Sequence, residues 1–114
     1  MKWDNNIAVA VDFDGTVYID NKFDSTAQKY LKKIKELGCI LILWTCRAGT
    51  ELDKAIKICR EAGIVFDYIN EYSLRESYPK INADFYVDDK AGFRRKDWKS
   101  LYARISSKCS SRAF

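Results

Sequence analysis

Two stretches of this chain, Ile7–Val11 (IAVAV) and Cys39–Trp44 (CILILW), are apolar without interruption. A strand with one wet face alternates apolar and polar side chains, so a short continuous run suits a strand buried on both faces, as in a parallel sheet. Downstream of each run the apolar period changes to a helical one. Ser25–Gly38 places Ala27, Tyr30, Leu31, Ile34 and Leu37 at helical spacing, opens with Ser25 and Gln28 as a capping box and closes at Gly38. Thr50–Gly63 repeats the pattern, with Thr50 as N-cap, Leu52, Ala55, Ile56 and Cys59 as the apolar stripe, and Gly63 as the stop. VFDYIN (65–70) and DFYVDD (84–89) read as third and fourth strands, and a last helix is expected around 97–105. Between the first run and the first helix, VYIDNKFD alternates around Asp20-Asn21 and predicts a small hairpin or flap. The alternation predicts an α/β chain: a single three-layer α/β/α, Rossmann-like domain, its mainly parallel sheet covered on both faces.

With 114 residues, no internal repeat and no linker, the chain reads as one domain, 1–114. Its 47% hydrophobic and 32% charged residues exclude a disordered or fibrous class. The formal net charge of +4 is unevenly spread: eight basic residues and one acid, Asp97, lie between Lys90 and Phe114, so that segment carries +7 and the remainder −3. A basic segment over about 90–114 would draw nucleic acid, an anionic surface or a phosphorylated substrate; the plainer reading is a solvated last helix. The four cysteines show no C-x-x-C spacing and there is no histidine to complete a mixed zinc site. Free thiols in a reducing cytoplasm are expected. The polar start, MKWDNN, argues against export, and no stretch approaches the roughly 18 to 20 apolar residues that span a bilayer, so no membrane contact is expected.

In an open parallel sheet the reactive crevice lies beyond the carboxyl ends of the strands. The first run ends in Asp12-Phe13-Asp14-Gly15-Thr16, the second in Thr45-Cys46-Arg47, the third leads toward Pro79-Lys80, and the fourth ends in Asp88-Asp89. Asp12 and Asp89, with a main-chain carbonyl, offer the hard oxygens that Mg²⁺ prefers, and a cation would relieve the repulsion of clustered carboxylates. A carboxylate beside such a cation can attack phosphorus and form an aspartyl-phosphate, while a second one two residues on, Asp14, moves protons. Gly15 permits a tight turn whose backbone N–H groups face phosphoryl oxygens, and Thr45 and Lys80 would stabilise charge on those oxygens. No cofactor beyond the cation is required.

These residues resemble the haloacid dehalogenase superfamily of phosphohydrolases. Its D-x-D-G-T motif matches Asp12, Phe13, Asp14, Gly15 and Thr16; its apolar strand ending in Thr matches LILWT with Thr45; its downstream lysine matches Lys80 in YPKINAD; its acidic pair matches FYVDD with Asp88 and Asp89. The resemblance spans about residues 7–90. It implies a Mg²⁺-dependent phosphatase acting on phosphoric monoesters, with Asp12 as nucleophile and metal ligand, and Asp14 as acid-base and donor of a carbonyl to the metal. It further implies Thr45 and Lys80 as phosphate binders, Asp89 as direct metal ligand and Asp88 in support. Gly15, Thr16, Cys46 and Arg47 would line the substrate. Only Val17–Phe23 separates the first motif from its helix, and Cys46–Pro79 holds little beyond one helix and one strand, so the chain looks like the capless branch. An open site suits a large substrate that covers it, such as a protein or a nucleic-acid end, or a small one if a second copy supplies the lid.

Several of these residues have plainer readings. Arg47 is as well explained by a surface salt bridge as by substrate contact, and the thiol of Cys46 has no catalytic task if Asp12 attacks. Trp3, Trp44 and Trp98 read as packing residues rather than stacking platforms. Two other function classes stand beside the phosphatase: a phosphoacceptor domain of the receiver type, which also gathers acids, Thr and Lys at one sheet edge, and a nucleic-acid-binding module with a vestigial site.

Overall fold

A computed structural model of the chain describes residues 7–70 and 83–112. Strand β1 (Ala8–Asp12) leads into a short antiparallel hairpin, β2 (Tyr18–Ile19) and β3 (Lys22–Phe23), then helix α1 (Ser25–Glu36). Strand β4 (Ile40–Trp44), helix α2 (Gly49–Glu61) and strand β5 (Tyr68–Ile69) come next, then strand β6 (Phe85–Val87) and helix α3 (Trp98–Arg112). The four long-range strands form one sheet in the order β5-β4-β1-β6, and every neighbouring pair is parallel. This is the α/β, Rossmann-like class that the alternation predicts. Among the described residues no helix is long and apolar enough to cross a membrane.

Strand β1 lies between β4 and β6, and Ala8, Val9 and Val11 are fully buried, which is the physical reason its run has no polar interruption. Alternate side chains serve two clusters. Val9, Val11, Leu41 and Leu43 join Leu31 and Ile34 of α1, Ala55 and Cys59 of α2, and Trp98, Leu101 and Ile105 of α3. Ala8, Ala10, Ile40 and Ile42 point the other way, with Ala83 and Tyr68. The three described helices thus all pack against one face. Among the described residues the expected helical cover of both faces is therefore found on one face, and no helix packs against Ala8, Ala10, Ile40 and Ile42.

The helix starts differ from the expected ones by a residue or two. Asp24, buried, caps α1 by accepting the Ala27 N–H at 3.0 Å, one residue before Ser25, because a carboxylate there reaches an orphan N–H of the first turn. Gln28 donates instead to the Ala62 carbonyl at 2.8 Å, which ties α1 to the end of α2. Helix α2 starts after Ala48 with no side-chain cap, so Thr50 lies inside its first turn rather than capping it. The third strand pairs only over Tyr68–Ile69, since Asp67 turns its carboxylate to the Leu41 N–H. Helix α3 runs seven residues beyond the expected end, where Ser106–Arg112 carry little apolar signal.

Registry places the strand ends together. Asp12 pairs with Trp44 and Val11 with Val87, so Thr45 and the Asp88-Asp89 pair emerge beside Asp12 at the carboxyl edge. The strand order also reverses at β1, because the chain steps from β1 through β4 to β5 and returns to β6 on the opposite side. Such a switch point is where open α/β sheets bind ligands.

Candidate active site

The turn after β1 is built on Phe13. Its ring is fully buried and stacked on Tyr18, with centroids 5.0 Å apart, and its carbonyl accepts the Val17 and Tyr18 N–H groups at 3.1 and 3.0 Å. Gly15 has φ of 81°, a conformation that costs an L side chain about 1–2 kcal/mol, and a Cβ there would collide with the Asp89 carboxylate. The glycine is therefore needed for close approach of β1's turn to β6's end. Its N–H donates to the Tyr18 carbonyl at 3.0 Å, and that of Thr16 to Phe13 at 3.3 Å. The N–H groups of Gly15 and Thr16 thus close the turn.

Asp12, Asp88 and Asp89 each present a carboxylate oxygen within 4.8 Å of the other two. Thr16, expected as a substrate contact, is buried and sits among them. Its hydroxyl oxygen lies 3.5 Å from Asp12 Oδ2 and 3.4 Å from Asp89 Oδ1, and accepts the Asp89 N–H at 3.0 Å. A hydroxyl has one proton, so it can serve one carboxylate at a time. Asp88 accepts the Lys90 N–H at 2.9 Å and caps the short helical turn Asp89–Ala91. Burial, followed by the charge of Asp88 and then of Asp89, pushes the Asp12 carboxyl up to about 6. Three carboxylates converging in this way could hold a metal ion, which would offset their mutual repulsion.

Asp14 stands apart from this cluster. Its carboxylate receives a two-pronged pair from Arg47, with Nε at 2.9 Å and a terminal nitrogen at 2.7 Å. The guanidinium lies 4.8 Å from the Phe13 ring centroid and 5.4 Å from that of Tyr18, and Glu51 is 3.9 Å away on its other side. The Arg47 hydrogen bonds hold the Asp14 carboxyl below the usual carboxylate range. The salt-bridge reading of Arg47 is thus the one the geometry displays.

Thr45 accepts the Arg47 N–H at its hydroxyl, 3.1 Å, and donates its own N–H to Asn70 Oδ1 at 2.8 Å. Asn70 was not singled out from the sequence. With φ of 56° it ends β5 in the left-handed region that Asn tolerates, and that preference is the signal an Asn closing an apolar run carries. Cys46 is exposed and, like Cys39, Cys59 and Cys109, a free thiol. Trp98 is buried as expected of packing, whereas Trp44 is 42% exposed at this edge; Trp3 lies outside the described residues. Lys80, expected beside Thr45, also lies outside the described residues. Arg94, not singled out individually either, donates to the Asp89 carbonyl at 2.7 Å.

No family model and no curated protein matches this chain. Among solved structures, a conserved protein coded by a locus from Bacteroides thetaiotaomicron is 33% identical to it. The match covers 91% of this chain and 93% of that one, with a TM-score of 0.77.

Proposed function

This chain belongs to the same family as the conserved Bacteroides thetaiotaomicron protein, and from the chemistry of its own site we propose that it is a Mg²⁺-dependent phosphohydrolase of the haloacid dehalogenase type, acting on a phosphoric monoester. The observation that carries the reading is the convergence of Asp12, Asp88, Asp89 and the Thr16 hydroxyl at the carboxyl edge of a parallel sheet. Asp12, Asp89 and Asp88 would hold the cation, which when bound supplies charge stabilisation to phosphoryl oxygens and keeps Asp12 ionised. The rest of the reaction falls to the chain. An Asp12 oxygen attacks phosphorus, the bond to the leaving oxygen breaks, and an acyl phosphate on Asp12 is then hydrolysed by water. Thr16 fixes the Asp12 and Asp89 carboxylates, and Thr45, anchored by Asn70, offers its hydroxyl proton to the phosphoryl group. Asp14 moves the proton, to the leaving oxygen first and from the attacking water second. The proposal includes the cytoplasm as the setting, where four free thiols stay reduced.

One observation favours a second reading. Asp14 is held ionised by Arg47, whereas a general acid must carry a proton when the leaving group departs. A phosphoacceptor that forms the acyl phosphate and turns over slowly has no need of that acid. Hydrolysis of p-nitrophenyl phosphate with Mg²⁺ separates the two. A phosphatase turns over continuously, stops with a chelator, and loses about 10³-fold or more in Asp12→Asn. Robust turnover by Asp12→Asn would remove the proposed nucleophile, and an acyl phosphate lasting minutes would favour the acceptor.

A further inference from the structure

Beside the carboxylate cluster the surface opens into a pocket of about 390 Å³, floored by Thr16 and Asp89 and walled by Arg94, Arg95 and Lys96. Small-ligand sites begin at roughly 300 Å³, so the space admits a molecule and not only an ion. The three cations lie between β6 and α3 and differ in freedom. Arg94 is pinned, donating one terminal nitrogen to the Asp89 and Phe93 carbonyls at 2.7 and 3.0 Å. Arg95 donates Nε to the buried Asp24 carboxylate at 2.8 Å, which aims the guanidinium and leaves its other four N–H groups uncommitted among the described residues. Lys96 is exposed, and its ammonium has no partner among the described residues. Phe93 completes the wall with a ring held edge-on against Trp98, centroids 5.0 Å apart, a fixed apolar surface for the body of a ligand.

Three consecutive like charges repel one another, and an anion held between them relieves that repulsion. Two further cations of the basic segment are engaged away from the pocket. Arg104 lies over the Phe85 ring, and Lys108 lies over the same ring and 3.8 Å from Asp84. At the pocket three successive cations line one space of about 390 Å³, a size that suits a small polyanion.

We infer that the pocket holds a second phosphate of the substrate, so that the chain selects small phosphomonoesters carrying another phosphate beyond the reacting one, with Arg95 and Lys96 as specificity-determining side chains. The inference rests on the phosphohydrolase reading for which phosphate reacts, but the anchoring itself can be measured without turnover.

Adenosine 3′,5′-bisphosphate is compared with adenosine 3′- and 5′-monophosphates on the full chain with Mg²⁺. The bisphosphate is expected to have a kcat/KM about tenfold higher, the worth of one charge-assisted contact to phosphate. Lys96→Gln brings the ratio to within about threefold by removing that ammonium, whereas Lys99→Gln, exposed in the first turn of α3, keeps it. Calorimetric titration of the Asp12→Asn variant with the same three compounds reads the preference as affinity. If p-nitrophenyl phosphate is not hydrolysed, the phosphohydrolase reading fails alone and the calorimetry still decides the pocket. A calorimetric ratio near one, or one that Lys96→Gln does not move, overturns the inference. Tighter binding of a phosphate-terminated trinucleotide than of the bisphosphate would overturn the assignment to a small molecule.

Discussion

The turn after β1 separates two carboxylates by a single residue and delivers them to opposite surroundings. Asp12 is half-buried between Asp88 and Asp89, so it meets like charge at close range and its carboxyl is pushed up to about 6. Asp14 is exposed and gripped by the Arg47 fork, so it meets opposite charge and its carboxyl is pushed down. Fully buried Phe13 sits between them and sends the backbone past the core in one step. Identical side chains two positions apart thus acquire distinct chemistry from their neighbours across the sheet edge. Under the phosphohydrolase proposal, Asp14 would have to leave the Arg47 fork before it could move a proton.

The two sides of the turn are held together most critically at Gly15, by its positive φ and its close approach to Asp89. Gly15→Ala is expected to cost about 2–4 kcal/mol, from backbone strain plus displacement of the Asp89 carboxylate, and urea titration would read it. Next is Thr16→Val, nearly isosteric, which leaves the Asp89 N–H without its acceptor and removes the hydroxyl between Asp12 and Asp89. A loss of about 1–3 kcal/mol is expected from the orphaned donor, together with weaker stabilisation by added Mg²⁺ in thermal melts.

The raised Asp12 carboxyl gives a signed pH dependence. Its folded value lies above its ordinary 3.8, so folding favours the protonated form. That contribution is complete below pH 3.8 and is lost as pH rises through about 6. Asp12→Asn is therefore expected to be more stable than the parent at pH 7 without metal, on the order of 1 kcal/mol after allowing for solvent screening, with the difference shrinking toward pH 4. Added Mg²⁺ should narrow the gap at pH 7 by stabilising the parent, and a gap that ignores both pH and Mg²⁺ would contradict the cluster.

The smallest effect is expected on the other side of the turn. Arg47→Ala removes an ion pair whose Asp14 partner is 55% exposed, worth roughly 0.5–1 kcal/mol. Because the folded Asp14 carboxyl is depressed, this contribution is present above the ordinary carboxylate value and fades as pH falls through the lower folded one. Chemical-shift titration of Asp14 should show its carboxyl returning toward the ordinary value in the variant.

Much of the architecture was legible from local pattern. The unbroken runs marked β1 and β4 because both faces of those strands are buried, and alternation around Asp20-Asn21 marked the hairpin, whose two turn residues have φ of 54° and 62°. Boundaries were less legible: Asp24 beats Ser25 as a cap because its carboxylate also pairs with Arg95, 71 positions away. The short β5 was overextended for a similar reason, as Asp67 spends its carboxylate on the Leu41 amide. Within the site, Thr16 and Asn70 acquire their roles from partners that no short window contains.

By itself, the order of residues determined that this chain lays short buried strands side by side in parallel and ends several of them in acids, threonine and arginine. Apolar periodicity is a local property, and burying it leaves few arrangements. Only the tertiary structure decided which charges meet. Asp12 faces Asp88 and Asp89, more than 70 positions away, while Asp14 faces Arg47, because strand order and register, not sequence distance, set who stands within reach of a carboxylate. Coulomb interactions and desolvation act over a few ångströms, so the chemistry of VDFDGTV was fixed when β4 and β6 closed on either side of it.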